Sequence, residues 1–171
     1  MRTLLMVSIT LALALAPARA SAQASDAHIV ALVSDSLRGY THLSIFDDVT
    51  VAVTGRSVTL TGRVTLPYKR DDIGTRVSKI DGVRAVVNEI GVLPVSATDQ
   101  KLRVLLARAI YGHPSFWQYA SMANPPIHIV VERGRVTLTG RVNSEVERML
   151  AYSLAQVDGA LSVANQLKLD R

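Results

Sequence analysis

The chain has 171 residues, contains no cysteine and carries a formal net charge of +5 at pH 7. The lack of cysteine excludes disulfide bonds, thiolate metal sites and a catalytic thiol. The positive excess is mild and contains no long run of Lys or Arg, so it does not indicate nucleic-acid binding.

Residues 1–20 have the layout of a cleaved secretory signal peptide. A short basic start, Met1-Arg2, is followed by the apolar run from Thr3 to Ala16 and by small residues. This pattern predicts cleavage before Ser21, or alternatively before Gln23. The apolar run is shorter than the roughly 20 residues that a membrane-spanning helix needs, so we expect an exported, soluble chain.

The rest of the sequence contains an internal repeat. The heptapeptide VTLTGRV occurs at Val58–Val64 and again at Val136–Val142. Similar residues flank both copies in the same order, and repeats of this kind outweigh local patterns in assigning a fold. We therefore predict two modules, at residues 21–95 and 96–171.

Each module begins with a helical pattern followed by two alternating runs. Apolar residues in the first helix of the second copy fall at Leu102, Leu105, Leu106 and Ala109, a spacing that predicts one buried face. The alternating runs that follow are joined by Gly-Arg-Ser at 55–57 or by Arg-Gly-Arg at 133–135. Short glycine-containing links of this kind predict a β-hairpin.

A second helix and a last strand complete each module. In the second copy, Ser144 and Glu147 form a capping box, and Val146, Leu150 and Leu154 form an apolar stripe. The predicted fold class is α+β, with two repeated α-β-β-α-β modules. Each module should contain a three-stranded mixed sheet with two helices on one face.

The repeated heptapeptide itself predicts a central strand. Val58, Leu60 and Val64 alternate toward the core, and Gly62 lies on the same side, where we expect a helix to approach closely. The outward residues form an exposed sheet face that could instead contact a partner: Thr59, Thr61, Arg63, Thr137, Thr139 and Arg141.

The pattern V-x-L-x-G-x-V, then a helix, then D-G-V-x-x-V-x-N, resembles the BON domain of osmotically induced periplasmic proteins. The first copy carries the second part as Asp81-Gly82-Val83, Val86 and Asn88, and the second departs from it at Ala160. The resemblance covers nearly the whole mature chain. It implies a periplasmic, non-enzymatic module that binds phospholipid or membrane surfaces under osmotic or envelope stress, and it supplies no catalytic residues.

The residues alone also give no support for catalysis, a cofactor or a metal site. None of the histidines, His28, His42, His113 and His128, forms HExxH or another close ligand pair. The sequence contains no nucleophile elbow, phosphate loop or dinucleotide fingerprint. We therefore expect a binding protein rather than an enzyme.

The strongest departure from the repeat is the longer segment Tyr111–Ile127 of the second copy. It carries Phe116, Trp117, Tyr119 and Met122, including the only tryptophan of the chain. These side chains could cap the core or pack between the modules. Alternatively they could contact a membrane or a partner, because Trp and Tyr favour the headgroup layer.

Positive charge is concentrated in the same half of the chain. Residues 99–171 contain 9 basic and 6 acidic side chains. The arginines that we assign to this candidate contact are Arg103, Arg108, Arg133 and Arg135. The predicted function is association with anionic phospholipid or envelope surfaces, and the alternative is protein binding through the exposed sheet face or an open sheet edge.

Overall fold

The computed structural model describes residues 17–170. Most of the predicted signal peptide lies outside this range and remains a prediction. The first module contains α1 (Pro17–Arg38), β1 (Asp48–Thr54), β2 (Ser57–Val64), α2 (Pro67–Ser78), β3 (Ala85–Asn88) and β4 (Gly91–Val92). The second contains α3 (Ala97–Tyr111), a 3-10 turn (Pro114–Phe116), α4 (Trp117–Ala120), β5 (Ile127–Glu132), β6 (Arg135–Val142), α5 (Glu145–Leu154), β7 (Ser162–Asn165) and β8 (Lys168–Leu169).

The two modules have the same mixed sheet, which confirms the predicted fold class. β1 is antiparallel to β2, and both β3 and β4 are parallel to β2. The second module repeats this arrangement with β5, β6, β7 and β8. The heptapeptide is the central strand in each copy, and the predicted third strand is divided into two short pieces.

A repeated asparagine lies at this division. Asn88 Nδ2 donates to the carbonyl oxygen of Arg70 in α2 at 2.8 Å, and its Oδ1 accepts from the amide of Ile90 at 3.3 Å. Asn165 makes the equivalent bonds to Arg148 in α5 and to Leu167. Backbone bonds to the central strand persist beside the break, from Glu89 to Leu60 and from Gln166 to Leu138, and the asparagine side chain ties the strand to the helix behind it.

Both hairpins have a two-residue turn in the left-handed region. Gly55 and Arg56 have φ of 57° and 66°, and Arg133 and Gly134 have φ of 52° and 73°. An aspartate of the first helix of each module accepts both turn amides at 2.8 Å: Asp26, within α1, in the first module and Asp99, in the first turn of α3, in the second. The turn is therefore fixed to the helix in both copies.

The glycine of the heptapeptide contacts a strand, and the prediction that a helix approaches it was wrong. Gly62 has φ +118°, and a Cβ atom there would lie 2.1 Å from the carbonyl oxygen of Asp48. Gly140 has φ +105°, and a Cβ atom there would lie 1.9 Å from the carbonyl oxygen of Pro126. Glycine is needed here because the first hairpin strand crosses closely at its beginning.

Each module has its own hydrophobic core, but the first module contributes to both. Val58, Leu60 and Val64 are buried in the first core, and the equivalent residues of β6 are buried in the second. Ile45 and Phe46, which precede β1, pack against the core of the second module. The two modules are therefore joined by apolar packing as well as by the chain.

The loop before each hairpin is tied to the following helix by polar groups of different chemistry. In the first module, the buried Asp47 carboxylate accepts from Lys69 Nζ at 2.6 Å and from Thr65 and Ser44. In the second module, the Tyr119 hydroxyl donates to Glu147 Oε2 at 2.7 Å. The helix therefore provides the cation in one copy and the carboxylate in the other.

Candidate functional site

Half of the predicted aromatic contact is part of the second core. Phe116 and Tyr119 are buried and stack with ring centroids 5.9 Å apart. Burial and the hydrogen bond to Glu147 raise the pKa of Tyr119 to about 12. The assignment of these two residues to a surface contact is therefore corrected, because neither ring can reach a membrane or a partner without unfolding the module.

The other half of the aromatic segment lies on the surface. Trp117 is 64% exposed, and Met122 is 47% exposed. The indole Nε1 of Trp117 donates to the carbonyl oxygen of Gly112 at 3.3 Å, which places the ring beside the end of α3. Fixed in this way, the indole offers a large apolar surface to the solvent at one end of the second module.

The four predicted arginines do not form one site. Arg103 is buried, and its Nη2 donates to the carbonyl oxygen of Val131 at 2.7 Å, so it is corrected to a structural role. Arg108 lies in the last turn of α3, near Trp117. Arg133 lies in the hairpin turn that Asp99 binds at the other end of α3, and Arg135 follows that turn, roughly 20 Å away for a helix of this length.

Sequence periodicity missed an exposed apolar surface of the second module. Leu105 and Val146 were assigned to buried stripes, yet both are exposed, Val146 by 76%. α3 contacts α4 and α5, so these three helices are neighbours. We name their exposed apolar residues the α3/α5 face: Val104, Leu105, Trp117, Val146, Met149 and Tyr152. Val104, Met149 and Tyr152 lie outside the predicted stripes, and these apolar residues were the signal for the face.

The threonine stripe of the second module lies in a polar groove between the modules. Thr137 and Thr139 line this groove of about 530 Å³ together with Arg133 and Arg135. Arg63 of the first module closes one side and pairs with Glu132 at 3.4 Å. The groove thus combines Arg133 and Arg135 of the predicted membrane contact with residues of the predicted exposed sheet face. Basic and acidic side chains are mixed along it.

The other members of the predicted sheet face are dispersed. Thr59 and Thr61 are partly buried on β2, and Arg141 is exposed and pairs with Asp170 at 3.5 Å. Within residues 17–170, no group of three or more His, Asp or Glu side chains is arranged to hold a metal ion. Over the same residues, no helix combines the length and apolar character needed to cross a bilayer.

Comparisons with known proteins agree with the repeat. The model of the BON domain matches residues 25–94 and 117–171. No curated protein matches the chain. It is similar to CdsD, a structural protein of the type III secretion system of Chlamydia trachomatis, at 14% identity and a TM-score of 0.30, covering 84% of this chain and 92% of that chain.

A second structure, of the C-terminal domain of CdsD, is similar at 14% identity and a TM-score of 0.28, covering 82% of this chain and 98% of that chain. The two segments matched by the family model fall one in each module and together include most of the chain. On this ground the protein belongs to the BON domain family, with two copies of the domain in tandem.

Proposed function

We propose that this protein binds anionic phospholipid surfaces through the α3/α5 face of its second module. The BON domain is known to bind phospholipid and envelope surfaces, and the position of the site on this chain is our inference. The observation that carries it is the exposure of six large apolar side chains on three adjoining helices. Exposed apolar patches of this kind usually mark an interaction site.

Basic residues beside these apolar side chains suit an anionic surface. Lys101 and Arg108 lie on α3 with Val104 and Leu105 around one shallow depression. Each basic side chain near an anionic leaflet contributes about 1 kcal/mol, and the indole of Trp117 favours the headgroup layer. The expected association is reversible and salt-dependent, as for other interfacial surfaces without a lipid anchor.

A vesicle assay tests this proposal directly. Trp117 is the only tryptophan, so its emission should shift to the blue when phosphatidylglycerol vesicles are added, and the shift should weaken with salt. Replacing Trp117→Ala together with Met149→Ser should lower sedimentation with these vesicles at least fivefold. Sedimentation of the unsubstituted protein with neutral phosphatidylcholine alone should be weak.

The matched control places similar changes on the first module. Tyr68 and Leu66 are also exposed, so Tyr68→Ala with Leu66→Ser removes comparable apolar area at the start of α2, outside the α3/α5 face. This variant should sediment like the unsubstituted protein. If this control variant loses binding as strongly as the Trp117 variant, the proposal is wrong. It is also wrong if the unsubstituted protein does not bind phosphatidylglycerol vesicles at low salt.

We retain protein binding within the cell envelope as a second candidate function. The polar groove supports it, because Thr137, Thr139 and three arginines lie there at the junction of the modules. We further propose that the chain is located in the periplasm and is cleaved after residue 20 or 22. We also propose the module boundaries at 95 and 96 and a role in envelope or osmotic stress. Mass spectrometry of the exported chain would test the cleavage site.

A further inference from the structure

The free edge of the second sheet is covered by three different groups. The amide of Ile129 donates to the carbonyl oxygen of Ile45 at 2.6 Å, and Arg103 binds the carbonyl oxygen of Val131. The hydroxyl of Tyr111 accepts from the amide of Ile127 at 3.2 Å and donates to the carbonyl oxygen of the same residue. Every second residue of β5 therefore has an outward backbone group that is satisfied.

The equivalent edge of the first sheet has the same register but no such cover. Val51 lies opposite Leu60 as Ile129 lies opposite Leu138, so the backbone groups of Val49, Val51 and Val53 point outward. Across the part of the chain that the structure describes, no hydrogen bond joins their amides or carbonyl oxygens to a segment other than β2.

Two substitutions between the copies explain the difference. The repeat places Val30 where α3 has Arg103, and Arg38 where α3 has Tyr111. A valine side chain has no donor for the strand carbonyl. Arg38 is exposed and pairs with Asp35 on its own helix. The two helix positions that cover the β5 edge therefore leave the β1 edge open.

An apolar cleft follows this open edge. It has a volume of about 490 Å³ and lies between α1, β1 and residues 123–125 of the second module, within the range of about 300–1,000 Å³ that binding clefts occupy. Its walls include Val30, Leu37, Val49, Val51 and Pro125. In the second module, the side chains of Ile45 and Phe46 pack against the core, and Ile45 also lines the first-module cleft.

The cleft is open because the second-module residues that correspond to Ile45 and Phe46 are too small to fill it. The residues that correspond to Ile45 and Phe46 in the second copy are Ala123 and Asn124. Asn124 reaches across only to donate from Nδ2 to the carbonyl oxygen of Arg38 at 3.1 Å. The interface between the modules is thus filled on one side and hollow on the other.

We propose that the groove between α1 and the β1 edge binds an apolar peptide segment of a partner protein by strand addition. The occupant of the corresponding groove is a protein segment that provides both a main-chain acceptor and large apolar side chains. A peptide can pair with the outward donors and acceptors of β1, whereas an aliphatic chain can fill the cleft but leaves them unpaired. This site is separate from the α3/α5 face.

The probe for this site is a capped peptide of sequence HLSIFD, which copies residues 42–47. Added to the full-length protein, it should slow hydrogen exchange at the amides of Val49, Val51 and Val53 at least tenfold and shift their NMR signals in a saturable way. The same peptide with Ile and Phe replaced by Ser should produce neither effect, because the cleft would receive no apolar side chain.

The second copy provides a variant that closes the edge. Val30→Arg with Arg38→Tyr transfers the two covering side chains of α3 to α1, at positions whose side chains are exposed. This variant should bind the peptide at least tenfold more weakly. The matched control, Val87→Arg with Arg84→Tyr, makes the same chemical changes at exposed positions on or beside β3 and should bind the peptide normally.

Three results would overturn the proposal. One is an absence of protection at the three β1 amides when the peptide is added. Another is equal peptide affinity in the variant with Val30→Arg and Arg38→Tyr. The third is saturable binding of dodecanoate at this cleft without any binding of the peptide, which would assign the cleft to aliphatic chains. Vesicle binding through the α3/α5 face is measured separately and does not depend on any of these results.

Discussion

Asp47 and Lys69 form an ion pair inside the first module, with both side chains almost fully buried. Burial acts to raise the pKa of Asp47, but hydrogen bonds from Lys69, Thr65 and Ser44 outweigh it and hold the pKa below its usual value. Because two charges have been removed from water together, each is stable only while the other is present.

Replacing one partner of this pair should be far more harmful than replacing an exposed lysine. We expect Lys69→Met to lower the free energy of unfolding by about 3–5 kcal/mol, because it leaves a buried carboxylate without its cation. Lys79→Met, at an exposed position, should change it by less than about 0.5 kcal/mol. Urea denaturation followed by circular dichroism measures both, and equal stability of the two variants would contradict this account.

Two buried tyrosines predict a loss of stability at high pH. Burial, followed by hydrogen bonds to carboxylates, raises the pKa of Tyr40 and of Tyr119 to about 12, whereas tyrosine in an unfolded chain has a pKa of about 10. A raised pKa in the folded state gives stability that is fully present below about pH 10 and is lost as the pH rises to about 12.

We therefore expect the urea denaturation midpoint to decrease as the pH is raised from about 10 to about 12. Absorbance at 295 nm should show that part of the tyrosine ionisation is delayed until unfolding. In the Tyr119→Phe variant the alkaline loss of stability should be smaller, although the variant is less stable at neutral pH. A midpoint that is constant up to pH 12 would show that these hydroxyls are not held as described.

At the level of elements, the crossing of the two hairpin strands depends on a glycine in each copy. Gly140 combines a positive φ with a Cβ position only 1.9 Å from a carbonyl oxygen, whereas Gly159 has φ +93° and no atom within 4 Å of its Cβ position. Comparing Gly140 with Gly159 separates the cost of a strained backbone from the cost of a steric clash between Cβ and a carbonyl oxygen. Only the first residue carries both costs.

Alanine substitutions at these glycines should therefore differ. Gly159→Ala should cost about 1–2 kcal/mol, the expense of a left-handed conformation alone. Gly140→Ala should cost at least about 3 kcal/mol, because β5 must also move away from β6. Thermal and urea unfolding measure the difference, and equal destabilisation would show that the strands separate without cost.

The repeat made the order and type of the elements predictable, because alternation, helical spacing and turn residues agree in both copies. The helical stripes were assigned too broadly. In α3 the buried positions Leu102, Leu106 and Ile110 are spaced by four, and Leu105 lies outside their arc. Spacing identifies which residues could face a core, but the neighbouring helix decides how wide the covered arc becomes.

The candidate site was less predictable than the fold because it depends on contacts between distant segments. Phe116 and Trp117 are adjacent in sequence, yet one is in the core and the other is exposed. The role of Phe46 in the second core joins residues on different modules. A single sequence gives the composition of such a surface, whereas the path of the chain decides which members meet.

At the level of the whole molecule, the modules are coupled mainly by what the first gives to the second. Ile45 and Phe46 pack against the second core, and the backbone of Ile45 binds the β5 edge. In return, Asn124 makes one hydrogen bond to the end of α1, and Glu132 forms a largely solvent-exposed ion pair with Arg63. The second module therefore depends on the first more than the first depends on the second.

Phe46→Ala should destabilise the second module selectively. We expect a loss of about 1–3 kcal/mol, less than for a fully buried phenylalanine because Phe46 is partly exposed. The fluorescence of Trp117 reports the stability of the second module, and hydrogen exchange of the β1 and β2 amides reports that of the first. The loss of stability measured by fluorescence should exceed the loss measured by hydrogen exchange. Leu66→Ala, at an exposed position, is the control. A uniform loss across both modules would contradict this dependence.

The Ile45–Phe46 segment has a consequence for the order in which the chain acquires its structure. A polypeptide is made from its N-terminus, so this apolar plug is ready before the sheet that receives it has left the ribosome. The vulnerable border of the later sheet is then sealed as soon as it forms, which guards against pairing with neighbouring chains. A fragment lacking the first half would keep the cover from Arg103 and Tyr111 but lose that of the Ile129 amide, and it should aggregate more readily than the full chain.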